Sequence, residues 1–263
     1  MAANEPRKSK AERRDAARRE AERLAAKQAA TEKRNRLIIV VASVLVIALV
    51  GVAGFFIWKE SQRTLLTEFE GARPAASTDT GGITFGADAV AGTTVEQAPE
   101  LEVYLDFMCP HCGTFEAVNG GDIKTLLDEG AVTLSVHPLN FLDRQSSEGD
   151  FSSRAANALA TVADAAPEQA YDFMQALFAT QPAEGGAGLT DEEMGQIAVE
   201  AGVPQEVADT IAAGTFLEWV TVASDQARND GVGTTPSIFL EGSRWTGDWA
   251  TQGTLLQAVR DAA

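Results

Sequence analysis

Apolar and polar positions alternate from Leu101 to Phe107: Leu101, Val103, Leu105 and Phe107 fall on one side, Glu102, Tyr104 and Asp106 on the other. A period of two predicts a strand with two different faces. Val132, Leu134 and Val136 alternate with Thr133, Ser135 and His137 and predict a second strand. Between them, the residues from Thr114 to Val118 predict a helix. Asn119-Gly120-Gly121-Asp122 predicts a kink or break in it, because each glycine costs about 1 kcal/mol against alanine in a helix interior. Asp122 then suits the cap of a further segment, Ile123 to Glu129. From about Asp150 to Arg228 the spacing is helical, with stripes Ala155/Leu159/Val162, Phe173/Leu177/Phe178 and Phe216/Val220/Ala223 that read as core. Pro167 and Pro204 stand where helices can begin, and Thr190-Asp191-Glu192-Glu193 is a capping box. Strand patterning returns at Ser237–Glu241, turns at Gly242-Ser243 and resumes to Thr246. A last helix spans Leu255 to Ala262.

The start of the chain is patterned differently. Leu37 to Trp58 carries no charged residue over 22 positions, which at 1.5 Å per residue is about 33 Å. That length predicts a transmembrane helix, and the following Lys59-Glu60-Ser61-Gln62-Arg63 favours an uncleaved anchor over a signal peptide. Residues 1–36 hold twelve Lys or Arg against six acids, whereas the whole chain has a net charge of −17. A basic cytoplasmic tail, a single span at 37–58 and an acidic part outside the cell membrane follow from the positive-inside bias. Residues 59–98, rich in Gly, Ala, Thr and Ser, are expected as an extracytoplasmic linker, with Ile83–Phe85 a possible first strand. The folded domain is expected at 99–263, with a helical insertion at about 150–229.

Chemistry concentrates at Cys109-Pro110-His111-Cys112. These are the only two cysteines, and they fall where the first strand gives way to the helix. A C-x-x-C in that context is a redox motif. The free N–H groups and the dipole of a helix N-terminus favour a thiolate. Cys109, at the start, takes the exposed and activated position, and Cys112, one turn in, closes the disulfide. Pro110 suits the first turn, where no N–H is needed. His111, when protonated, adds positive charge beside the thiolate. A stabilised thiolate makes the disulfide a stronger oxidant.

The order of elements fits an α/β, thioredoxin-like fold with a helical insertion, preceded by the transmembrane helix and the basic N-terminal tail. Here the sequence resembles the DsbA family of thiol–disulfide oxidoreductases, in a membrane-anchored bacterial form. Phe107-Met108-Cys109-Pro110-His111-Cys112 with Phe115-Glu116 looks like its active-site segment. His137-Pro138-Leu139-Asn140-Phe141 resembles the strand after the redox helix, and Phe173–Gln181 part of the helical insertion. Gly233-Thr234-Thr235-Pro236 resembles the loop whose proline is cis and faces the cysteines. The resemblance implies catalytic roles for Cys109, Cys112, His111 and Pro110, and substrate binding at Thr235 and Pro236, where Thr235 offers backbone groups to an extended chain. It also implies a disulfide donor to folding secreted proteins. Two departures stand out. Val103 occupies a position where relatives often carry a buried acid, with Asp106 closer to the cysteines, and a threonine before Pro236 also occurs in reductases and isomerases.

No cofactor or metal is expected, since His111 lies between the two cysteines and is poorly placed to join them on zinc. With no second cysteine pair, a separate membrane or soluble redox partner must reoxidise the dithiol. The absence of a phosphate loop and the acidic charge argue against nucleotide and nucleic-acid binding. Two other readings use the same residues: a reductase or isomerase running the exchange the other way, and a chaperone-like binding module whose disulfide is structural.

Overall fold

The computed structural model describes residues 10–61, 64–147 and 149–263. The chain divides into two compact units, Met1–Arg63 and Thr64–Ala263.

The described residues of the first unit form one helix, α1 (Lys10–Ser61). Its Ala, Arg and Glu content favours helix, and Arg18 donates to Glu22 at 3.2 Å in an i, i+4 pair. The membrane expectation is corrected here. Among the described residues, no helix is long and apolar enough to cross a membrane. The charge-free run continues a charged helix without a break. The transmembrane helix at 37–58 is therefore withdrawn, and with it the single-pass membrane localisation. Residues 1–9 of the basic tail and the side chains of Trp58 and Lys59, at the end of that run, lie outside the described residues.

The second unit is a mixed sheet with helices on both faces. Its elements are β1 (Ile83–Phe85), β2 (Glu100–Leu105), α2 (Pro110–Asp128), β3 (Thr133–Pro138), α3 (Phe151–Ala165), α4 (Ala170–Ala179), α5 (Asp191–Glu200), α6 (Gln205–Ala208), α7 (Leu217–Asn229), β4 (Ser237–Leu240), β5 (Ser243–Arg244) and α8 (Thr254–Ala262). The strand order is β1-β3-β2-β4-β5. Only β2 and β3 run parallel, with Val103 beside Val136; on its other side Val103 pairs with Ile238 of β4, antiparallel. The alternation in β2 works as expected. Val103 and Leu105 meet Phe115 and Ile123 of α2 on one face, while Tyr104 packs with Ala227 of α7 on the other. His137, next to Tyr104 across the ladder, is buried and stacks on its ring at 3.9 Å, a structural role.

Two local expectations fail for tertiary reasons. α2 runs unbroken through Gly120-Gly121. Gly120 is small because its neighbours need the space: a Cβ there would run into Glu116 and Gln175, and the Tyr171 hydroxyl donates to the Gly120 carbonyl at 3.0 Å. Asp122 caps nothing within α2. It instead accepts from the Gly253 N–H at 3.2 Å, at the start of α8. The stretch read as a spacer is, from Thr64 onward, part of the second unit. Leu66, Ile83 and Phe85 have no solvent exposure. The Leu65 N–H donates to Gln226 at 2.7 Å, the Ala75 N–H to Asp164 at 2.8 Å and the Val95 N–H to Thr133 at 2.8 Å.

The segment between β3 and β4 is helical. α3 is its centre, lined by Ala155, Ala156, Ala158, Leu159, Ala160 and Val162, none of them exposed. Such small side chains let α4, α5 and α7 pack closely round it. The capping box at Thr190 forms in full: Thr190 Oγ1 accepts from the Glu193 N–H, and the Glu193 carboxylate accepts from the Thr190 N–H at 2.7 Å.

Candidate active site

The turn from β2 into α2 presents the cysteines. Cys109 is the N-cap of α2 in extended conformation, and Pro110 fills the first helical position, where its missing N–H and fixed φ fit. The Cys109 carbonyl accepts from the Cys112 N–H at 2.9 Å and the Gly113 N–H at 3.2 Å. Both cysteines are free. The expected contrast in exposure is small: Cys109 is 6% exposed and Cys112 1%. The Thr234–Pro236 loop accounts for part of that cover. The Thr235–Pro236 bond is cis, and the Thr235 carbonyl oxygen lies 3.5 Å from Cys109 Sγ. Thr235 and Pro236 are half-buried, while Pro110 and His111 are exposed.

The two sulfurs differ sharply in acidity. The Cys109 thiol is pulled down to about 5, first by the Cys112 thiol that hydrogen-bonds to it, against a burial penalty. Thr235 and the backbone N–H groups of Cys112 and His111 add to that pull. Cys112 is pushed well above the ordinary thiol range, first by burial and then by Cys109 itself. His111 thus contributes through its backbone N–H, whereas sequence reasoning pointed to its ring.

Two buried carboxyls lie close by. Asp106 is fully buried and accepts from the Met108 N–H at 2.9 Å, the Leu142 N–H at 2.9 Å and the Ser152 hydroxyl at 2.6 Å. Burial raises it to about 6 despite these bonds. Its own N–H donates to Cys112 Sγ at 3.5 Å. Glu116, one turn past Cys112, is raised to about 7 by burial, and the Gln175 amide donates to it at 3.2 Å. The alternating pattern places Asp106 on the polar side of its strand, but it cannot reveal that the inserted helices close over it. Sequence reasoning missed Gln181, whose amide donates to the carbonyls of Phe107 and Cys109, each at 2.9 Å. A lone glutamine at a helix end carries no motif that could have flagged it.

This arrangement can hold one sulfur as a thiolate, keep its partner protonated and set the backbone of Thr235 beside the reacting atom. The family model described as Thioredoxin matches residues 87–258. Reduced DsbA from Mycobacterium tuberculosis superimposes with a TM-score of 0.59 at 28% identity, over 69% of this chain and 92% of that one. Reduced DsbG from the same organism gives a TM-score of 0.59 at 30% identity, over 69% and 86%. MdbA from Actinomyces oris, a thiol-disulfide oxidoreductase, shares the fold with a TM-score of 0.60 at 23% identity, over 77% and 94%. The serine/threonine-protein kinase PknE of Mycobacterium tuberculosis is 32% identical over 137 residues, which are 51% of this chain and 23% of the kinase. The chain therefore spans less than a quarter of the length of the curated relatives it matches. Because the family match begins just after β1 and runs into the last helix, carrying the cysteine turn and the cis-prolyl loop inside it, the chain belongs to the thioredoxin family.

Proposed function

We propose that this thiol–disulfide oxidoreductase works as a disulfide donor, passing the Cys109–Cys112 disulfide to substrate proteins in an oxidising compartment. The observation that carries the reading is the split between the sulfurs: Cys109 held down near 5 and Cys112 pushed far up. A substrate thiolate attacks Cys109 Sγ, and Cys112 leaves and takes up a proton. A second substrate thiolate then attacks the substrate sulfur of the mixed disulfide, and Cys109 leaves as a stabilised thiolate. Two substrate thiols become one disulfide, and two electrons rest on the protein dithiol until a separate redox partner removes them. Thr235, beside Cys109, offers backbone groups along which an extended substrate aligns.

The test is the reduction potential of the pair, by equilibration with glutathione. A donor sits well above the roughly −270 mV of thioredoxin and toward the roughly −120 mV of DsbA. A value near thioredoxin's would reject the donor reading in favour of a reductase.

A further inference from the structure

Gln181 lies in the turn after α4, which ends at Ala179. Its Nε2 donates to the carbonyl oxygens of Phe107 and Cys109, each at 2.9 Å, so one amide spans the whole turn from strand to redox helix. On the helix side its Oε1 lies over Gly113, where the nearest atoms to any added Cβ all belong to Gln181. One turn earlier, the Phe178 ring stacks on Phe107 with centroids 4.8 Å apart. The end of α4 therefore grips the cysteine turn by side chain and by backbone.

The Cys109 carbonyl does not need this donor for its own satisfaction. It already accepts from the Cys112 and Gly113 N–H groups. What the extra donor changes is electrostatic and positional. The carbonyl oxygens of residues 107 and 109 are negative ends close to a sulfur that must carry negative charge. A donor bonded to both offsets them. The same amide fixes the turn, so that Sγ stays on the N–H groups at the start of α2.

We propose that Gln181 is a positioning residue for Cys109, through which the inserted helices set how readily that sulfur is held as a thiolate. The inference rests on Cys109 being the exchanging sulfur and holds for either direction of electron flow.

Two variants of the full chain test it from opposite sides. Gln181→Leu removes the donor. Gly113→Ala displaces it, while alanine is the better residue in a helix interior. In both, the Cys109 thiolate, followed by its ultraviolet absorbance, titrates at higher pH than in the wild type. The equilibrium with glutathione becomes less oxidising by about fivefold, the factor carried by one hydrogen bond of ordinary net strength. Both readouts are taken at a temperature where thermal melts show each variant fully folded, so lost stability does not explain the shift. An unchanged titration and glutathione equilibrium in either variant, with the wild-type thiolate titrating low, overturns the role of Gln181 alone. A wild-type Cys109 that titrates like an ordinary thiol overturns this inference together with the donor reading.

Discussion

The Asp106 carboxylate and the Ser152 hydroxyl meet at 2.6 Å, tying the end of the redox strand to the first inserted helix. With the Met108 and Leu142 N–H groups on the same carboxylate, three donors from three segments depend on one buried acid. Asp106→Ala leaves all of them unpaired. Denaturant unfolding should show a loss of about 3 kcal/mol, since each stranded buried donor costs about 1 kcal/mol or more. Asp106→Asn, which keeps one acceptor oxygen, should lose less.

Buried acids also set a pH dependence. Glu116 rises from 4.5 to about 7 in the folded protein, so between those values the folded state holds a proton that the unfolded chain has lost. Its contribution to stability is greatest below the unfolded value and is lost as pH rises through the folded one. Asp106, raised from 3.8 to about 6, acts in the same sense over a lower window. Glu116→Gln should flatten the decline in melting temperature above pH ~4.5 and be more stable than the wild type at about pH 8, by roughly 1–3 kcal/mol. The advantage should vanish at about pH 4, where both wild-type states are protonated. A wild-type profile that rises from pH 4.5 to 7 with no effect of the substitution would count against the buried position of this carboxyl.

Cys109 acts in the opposite sense. Its thiol is lowered from 9.0 to about 5, so the reduced protein gains stability that is fully present above the unfolded value and lost as pH falls through the folded one. The stability gap between reduced and oxidised protein should therefore widen from about pH 5 upward, which paired thermal melts at several pH values would reveal. Cys109→Ser should abolish disulfide exchange in an insulin or scrambled-ribonuclease assay. Cys112→Ser should accumulate mixed disulfides visible on non-reducing gels.

The two adjacent glycines of α2 should respond differently. Nothing lies within 4 Å of a Cβ at Gly121, so Gly121→Ala should stabilise the protein by about 1 kcal/mol. Gly120→Ala gains the same propensity but drives into Glu116 and the Gln175 amide. Its melting temperature should fall below that of Gly121→Ala, and below wild type if the Glu116–Gln175 bond breaks.

What could be read from sequence was local. The alternation around Val103, the spacing of Cys109 and Cys112 and the capping box at Thr190 depend on near neighbours along the chain, and they form as patterned. Gly120-Gly121 misled because the propensity cost there is outweighed by packing against Tyr171 and Gln175, more than fifty residues away. Residues 64–98 misled because their small and polar composition suits a linker, while their hydrogen bonds go to distant partners such as Gln226 and Asp164. Asp106 and Gln181 became visible only once the inserted helices were folded back over the cysteine turn. The apolar run at 37–58 was read from its length, its lack of charge and its basic flank, whereas it continues a longer, charged helix.

The short strand Ile83–Phe85 has one more consequence. It covers the outer side of β3, pairing Ile83 with Val136 and Phe85 with Leu134. Every residue of β3, Thr133 to Pro138, is buried. Cutting the chain just before β2 would strip that cover and leave an otherwise buried strand with open N–H and C=O groups, a template for pairing with other copies. Fragments begun at Thr64 should therefore stay dispersed where fragments begun at Pro99 should aggregate.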